Sequence, residues 1–253
     1  MSTDPQEGGI RSTLQPEVLP LVSIIVVVFR DRSELKALIE NLAPFRSADL
    51  EVVVIDGGSD DGTSDLLREN ERHVDYWLSE PDKGIYDAMN KGLKAARGRW
   101  VLHINAGDRL LLVPFDLLRE LGDKAEILGC RVECPVDHFT FVPRMNWTFR
   151  FQSTLHHQGT FYRREKHCGY DPTYRVLGDV AATQRMVRKG CRVEISNQVV
   201  SLHYGGGLSD WPGNDVEWSR SIRENYGKLH QYAYALLFLP TRRVYRSFRK
   251  RLG

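Results

Sequence analysis

Several things are scarce in this chain. It has no run of about 20 apolar residues, so no segment is expected to span a bilayer as a helix. Its four cysteines (Cys130, Cys134, Cys168, Cys191) are too few for a disulfide framework in 253 residues. Cys130-x3-Cys134 and His167-Cys168 lack a second paired spacing, so reduced, buried thiols are expected rather than zinc ligands. Residues 1–17 are polar with no apolar core, and no secretory signal is expected. Excess charge is missing too: a net charge of +2 gives no support to a nucleic-acid partner. Glycine is absent where a dinucleotide would need it. Phe29-Arg30-Asp31-Arg32-Ser33 follows the first apolar run in place of G-x-G-x-x-G, and no Walker loop occurs.

What remains is an ordinary globular composition, 42% hydrophobic and 27% charged, long enough for one large α/β domain. Residues 21–29 form a continuous β-branched run, expected as a strand buried on both faces. Leu35, Leu38, Ile39 and Leu42 then recur at helical spacing, with Asp31 or Ser33 as the cap. Strands are expected at 51–55, 76–79 and 100–104, with helices ending at Asn70 and spanning 85–97. Ile85, Met89, Leu93 and Ala96 would share one face of the latter helix, and Gly98 would stop it. Such alternation predicts a mainly parallel central sheet flanked by helices, with ligands at the carboxyl ends of the strands.

Polar groups gather at those ends: Arg30 and Asp31, Asp56 to Asp61, and Asn105 to Asp108. Carboxylates repel phosphates. They fit such a place if they accept hydrogen bonds from a nucleoside, or hold a divalent cation that binds a diphosphate. Asp56 suits the first role and Asp108 the second; Asp108 fixing its own turn is the other reading. Past residue 114 the pattern loosens. Helices are expected at 115–121 and 180–189, with strands at 125–132, 139–142, 192–195 and 199–204.

The stretches VSIIVVVFRDRSELKALIENL, EVVVIDGGSDDGT and SEPDKGIYDAMNKGLKAARGRWVLHINAGD together resemble the nucleotide-binding half of glycosyltransferase family 2. Weaker similarity to its bacterial cell-surface polysaccharide branch lies in HHQGTFYRRE, GYDPTYRVLGDV and HYGGGLS. The resemblance implies the GT-A fold, a single Rossmann-like α/β domain. It also implies an inverting, metal-dependent, hexosyltransferase-type enzyme. The sugar of a UDP- or GDP-linked donor would pass to a hydroxyl of a glycan or polyprenyl-linked acceptor in cell-surface polysaccharide synthesis. Asp31, Asp56, Lys83 and Asn105 would contact the donor. Asp108, with His203, would hold Mn²⁺ or Mg²⁺; His203 as a structural residue is the other reading. Asp179 would be the catalytic base or, on spacing alone, the cap of the helix from residue 180. His157 and Gln158 would face the acceptor, and at most one of His156 and His157 would do so, because neighbours on a strand point to opposite faces. Gly205 to Gly207 would let a loop close over the donor.

The implied organisation is a disordered leader (1–18), a transferase domain (19–231, with a nucleotide-sugar half at 19–112 and an acceptor half at 113–231), and a basic aromatic tail (232–253). The tail carries Arg242, Arg243, Arg246, Arg249, Lys250 and Arg251 with no acid after Glu224. It suits an anionic membrane surface, and so a cytoplasmic, peripheral location on the inner face of the membrane; a solvated tail is the alternative. A catalytically inactive binding module and a metal-dependent nucleotidyltransferase are the competing functions.

Overall fold

The computed structural model of the chain describes residues 5–12, 19–205 and 214–240. Its centre is the run of strands that sequence patterning marks most strongly. Strands β1 (Gln6–Gly8), β2 (Val22–Val28), β3 (Leu50–Asp56), β4 (Tyr76–Ser79) and β5 (Trp100–Asn105) are joined through helices α1 (Arg32–Leu42), α2 (Thr63–Glu69) and α3 (Ile85–Ala95). Strands β4-β3-β2-β5 lie side by side and parallel, with β2 and β3 in register from Val22↔Leu50 to Val28↔Asp56. Every residue of β2 and β3 is buried. Alternation sends Ile24, Val26, Val52 and Val54 into one apolar layer and Ile25, Val27, Val53 and Ile55 into the other. Helix α1 covers the first layer with Leu35, Leu38, Ile39 and Leu42.

Helix α3 covers the second. The expected Ile85, Met89, Leu93 and Ala96 all belong to or pack against this layer, and Tyr86, Ala88 and Gly92 are buried in addition. A Cβ on Gly92 would sit 2.3 Å from Ile25 Cγ2, so glycine sets how closely α3 lies on the sheet. Gly98 is not the helix stop. The helix ends at Ala95, and the Gly98 N–H donates to Ser23 Oγ at 2.8 Å.

The remaining elements are β6 (Arg109–Leu110), α4 (Phe115–Leu121), β7 (Ile127–Cys134), β8 (Phe139–Phe141), β9 (Thr160–Arg163), α5 (Gly178–Arg188), β10 (Val193–Leu202), α6 (Asn214–Tyr226) and α7 (Lys228–Ala233). Strand β9 runs antiparallel between β5 and β7 and joins the two parts of one sheet. The two strands expected at 192–204 are one strand, β10, with register shifts between Ile195 and Val199 and between Val199 and Ser201. Strand β6 pairs antiparallel with the end of β10 (Ser201↔Leu110, Leu202↔Arg109), which brings the residues before β6 beside those after β10.

Both expected termini need correction within the described residues. Residues 5–12 of the expected disordered leader are ordered: β1 pairs with β4, and the Arg11 guanidinium donates to Glu51 Oε1 at 3.1 Å and to the Ala95 carbonyl at 2.6 Å. An open sheet edge supplied backbone partners that a polar composition does not advertise. At the other end Tyr234 is buried in the core, so the tail does not begin at 232. Gly206, Gly207 and residues 241–253 lie outside the described residues.

Candidate active site

A cavity of about 650 Å³ opens at the carboxyl ends of β2 and β5. Val27 to Phe29 and Asp31 line it from the end of β2, and Asn105 to Gly107 from the end of β5. His156 and His157 come from the segment before β9, Arg175 to Leu177 and Asp179 from the start of α5, and His203 from the end of β10. Parallel strands leave their carboxyl ends pointing the same way, and the crossover loops there are free to vary.

Asp108 sits behind this wall and is almost fully buried. Its carboxylate accepts from Gln158 Nε2, from the Tyr204 N–H at 3.0 Å, and from His203, whose Nδ1 lies 3.0 Å from Oδ1. The local-turn reading fails for the side chain: it is the Asp108 N–H that closes the turn, onto the Asn105 carbonyl at 3.0 Å. Gln158 is fully buried in this role, so its expected place at the acceptor is corrected.

His156 and His157 both line the cavity, against the expectation that at most one would. The reason is backbone geometry. They begin a 3₁₀ turn (His157–Gly159) rather than a strand, and their rings stack 5.5 Å apart at 11°. His156 also lies 5.0 Å from the His203 ring. Burial pushes the His156 imidazole well below the ordinary histidine range, with His157 and His203 adding to the effect. Burial lowers His157 too, opposed by the Asp179 carboxylate.

Asp179 lies in the first turn of α5, whose N-cap position is Leu177, with no side-chain cap bond there. The capping reading is therefore not realised. Its Oδ1 lies 3.0 Å from the Tyr86 hydroxyl and its Oδ2 lies 3.5 Å from His157 Nδ1. The Tyr86 oxygen is also 2.5 Å from the Val176 carbonyl, so its one proton serves a single partner at a time. Burial, followed by the Asp179 charge, holds the Tyr86 phenol well above its usual range. The loop ahead of α5 is fixed from α6: Glu217 accepts from the N–H groups of Arg175 (2.6 Å), Val176 (2.9 Å) and Leu177 (2.8 Å).

The other expected residues divide. Asp31 lines the cavity at the N-cap position of α1 and makes no side-chain cap bond. Asn105 lines it as well, and its Oδ1 is buried with no hydrogen-bond partner among the described residues. Asp56 is outside the lining. It is fully buried, accepting from Ser59 N, Ser59 Oγ and Ser79 Oγ. Lys83 is exposed and also outside the lining, its N–H donating to Asp87 Oδ2 at 3.0 Å. Tyr86, Arg175 and Glu217 were not singled out from the sequence. Tyr86 stood inside the GIYDAMNKG stretch, but nothing in one sequence links it to a residue 93 positions away.

No group of three or more His, Cys, Asp or Glu side chains that could hold a metal occurs among the described residues. A cation here would have Asp108, His203 and the unpartnered amide oxygen of Asn105. That donor set suits a hard divalent ion. The Asp108 carboxylate has about four acceptor positions and three donors on it, which leaves one free.

A family model described as glycosyl transferase family 2 matches residues 23–189. The chain is 30% identical over 210 residues to a PGL/p-HBAD biosynthesis glycosyltransferase of Mycobacterium bovis, covering 76% of this chain and 80% of that protein. It is similar in structure to Staphylococcus aureus TarS 1-349 in complex with UDP-GlcNAc (TM-score 0.65, 18% identity, 81% of this chain and 66% of that one). It is also similar to the mannosyltransferase PcManGT of Pyrobaculum calidifontis, solved with GDP-Man and Mn²⁺ (TM-score 0.58, 20% identity, 87% and 65%). Against the longer TarS structure it spans 39% of that chain. The chain belongs to glycosyl transferase family 2 and has the GT-A fold.

Proposed function

We propose that the protein transfers a sugar from a nucleotide-diphosphate sugar, UDP- or GDP-linked, to a hydroxyl of a glycan or polyprenyl-linked acceptor, with inversion. The observation that carries this reading is the cavity itself. Its wall includes Asp179, held between Tyr86 and His157, together with Asp31, Asn105 and His203 from the donor-side strand ends.

In the reaction the acceptor oxygen attacks the anomeric carbon, and the bond from that carbon to the diphosphate oxygen breaks. The electron pair leaves with the diphosphate, and the hydroxyl proton passes to Asp179. A single displacement of this kind inverts the centre. The other carboxylate in the lining, Asp31, sits on the donor side at the end of β2. Asp108, Asn105 and His203 would hold a divalent ion, which would supply positive charge to offset that of the leaving diphosphate. Among the described residues, Arg175 is the only Lys or Arg in the cavity lining, and it is suited to the diphosphate. Asp31 accepts from the nucleoside. Asp56 acts one step back, by fixing the loop that starts at Gly57. The basic segment 241–253 favours attachment to an anionic membrane surface. Among the described residues no helix is long and apolar enough to cross a membrane.

The test is a screen of UDP- and GDP-sugars for donor hydrolysis and thermal stabilisation, with and without Mn²⁺. Stabilisation by one nucleotide sugar, with turnover lost in Asp179→Asn, is the expected result. Nucleoside triphosphate consumption with a sugar phosphate would overturn it.

A further inference from the structure

The C-terminal helical segment has two unlike faces. Helix α7 continues as a π-helical turn (Tyr234–Phe238). Tyr234 points inward and is buried, and Phe238 packs against the same core. The outward face carries Leu229 (79% exposed), Tyr232 (63%), Leu236 (76%) and Leu237 (66%). Single exposed apolar residues are ordinary, but four large ones within nine positions of one helical segment form a patch.

A second exposed aromatic borders the end of this segment. Trp147, 69% exposed, belongs to a 3₁₀ turn (Trp147–Arg150), and its ring lies 5.9 Å from Phe238 and 6.2 Å from Phe151. Phe151 stacks on Phe238 at 4.7 Å. From Phe151 the chain runs directly to Ser153 and Leu155, which line the cavity. The patch therefore adjoins the cavity through one short segment.

The sequence beyond the patch identifies what covers it. Residues 241–253 contain Arg242, Arg243, Arg246, Arg249, Lys250 and Arg251 and no acid. A second copy of the chain on this face would bring two such segments together, like charge against like. An anionic lipid leaflet offers apolar depth beneath a negative surface, and so matches both the patch and the charge that follows it. We infer that the face formed by Leu229, Tyr232, Leu236, Leu237 and Trp147 is a lipid-docking surface, seated in a leaflet that carries anionic lipid. The docked protein holds its cavity beside the bilayer, within reach of a lipid-linked acceptor; only that last consequence rests on the transferase reading.

The experiment is cosedimentation of the full chain with phosphatidylcholine vesicles, with and without phosphatidylglycerol. The unaltered chain, Leu236→Ser/Leu237→Ser, and a chain ending at Pro240 are compared. The unaltered chain is expected on the mixed vesicles only, with a blue shift of tryptophan emission that Trp147→Phe reduces. The double variant keeps every cation, yet should lose roughly tenfold or more in partition. The chain ending at Pro240 should lose the preference for phosphatidylglycerol. Equal partition of the double variant and the unaltered chain would overturn the inference. So would self-association of the unaltered chain, abolished by the double variant, without vesicle binding. An unchanged thermal midpoint and donor hydrolysis in the double variant confirm that it folds. Absent hydrolysis in every form would count against the transferase reading and leave the partition result standing.

Discussion

Two regions that each depend on a buried acid, the loop after β3 and the wall of the cavity, satisfy that acid differently. In the first half Asp56 is served by Ser59, three residues on, and by Ser79 on the strand beside it. Asp108, at the end of the nucleotide-sugar half, and Glu217, in the acceptor half, have longer ties. Asp108 is held by Gln158 and His203, 50 and 95 positions away, and Glu217 holds a loop about 40 positions earlier. The first half is a repeating strand-helix unit, though its buried Glu51 accepts from Ser23, Arg11 and Arg97, 28 to 46 positions away. The second is a set of segments pinned together by a few buried carboxylates.

Removing those carboxylates is the way to break the comparison. Asp179→Asn should have the largest effect, lowering turnover by about 10²–10⁴-fold while donor binding, measured by calorimetry, stays the same. A loss of donor binding instead would make Asp179 part of the donor site. Glu217→Ala leaves three backbone N–H groups without their acceptor and should cost about 3 kcal/mol in urea unfolding, while Glu217→Gln, still able to accept, should cost less than half of that. Asp56→Asn sharpens the contrast from the other side. Its hydroxyl partners can turn to new acceptors, so about 1 kcal/mol is expected. Equal losses at Asp56 and Glu217 would erase the distinction.

The smallest effect is on acid stability. Burial, then the Arg185 charge, lowers His167 from 6.5 to about 4. The unfolded chain then binds a proton that the folded chain does not, so stability falls as pH drops through that window and is fully present above it. His167→Gln should flatten the urea midpoint between pH 7 and pH 5 relative to the unaltered chain.

The first half was largely legible because each of its signals is local. Continuous β-branched runs gave β2 and β3, and helical spacing gave the buried face of α1. The terminal residues of β4 and α4 also agree with the expected spans. The second half was less legible. Strand β9 has four residues, too short for a clear alternation, and its place depends on gaps left by β5 and β7. His156 and His157 were assigned opposite faces because a strand period was assumed where a 3₁₀ turn occurs. Gln158 was expected at the acceptor because its neighbours were; its actual partner, Asp108, lies across the sheet. Asp31, Asn105, His157, Asp179 and His203 do share one cavity, while Asp56 and Lys83 lie outside its lining.

The row His203, His156, His157 runs from the Asp108 end of the cavity to Asp179. Burial holds both His156 and His157 below the ordinary histidine range, so near neutral pH the middle of this row presents uncharged rings between two carboxylates.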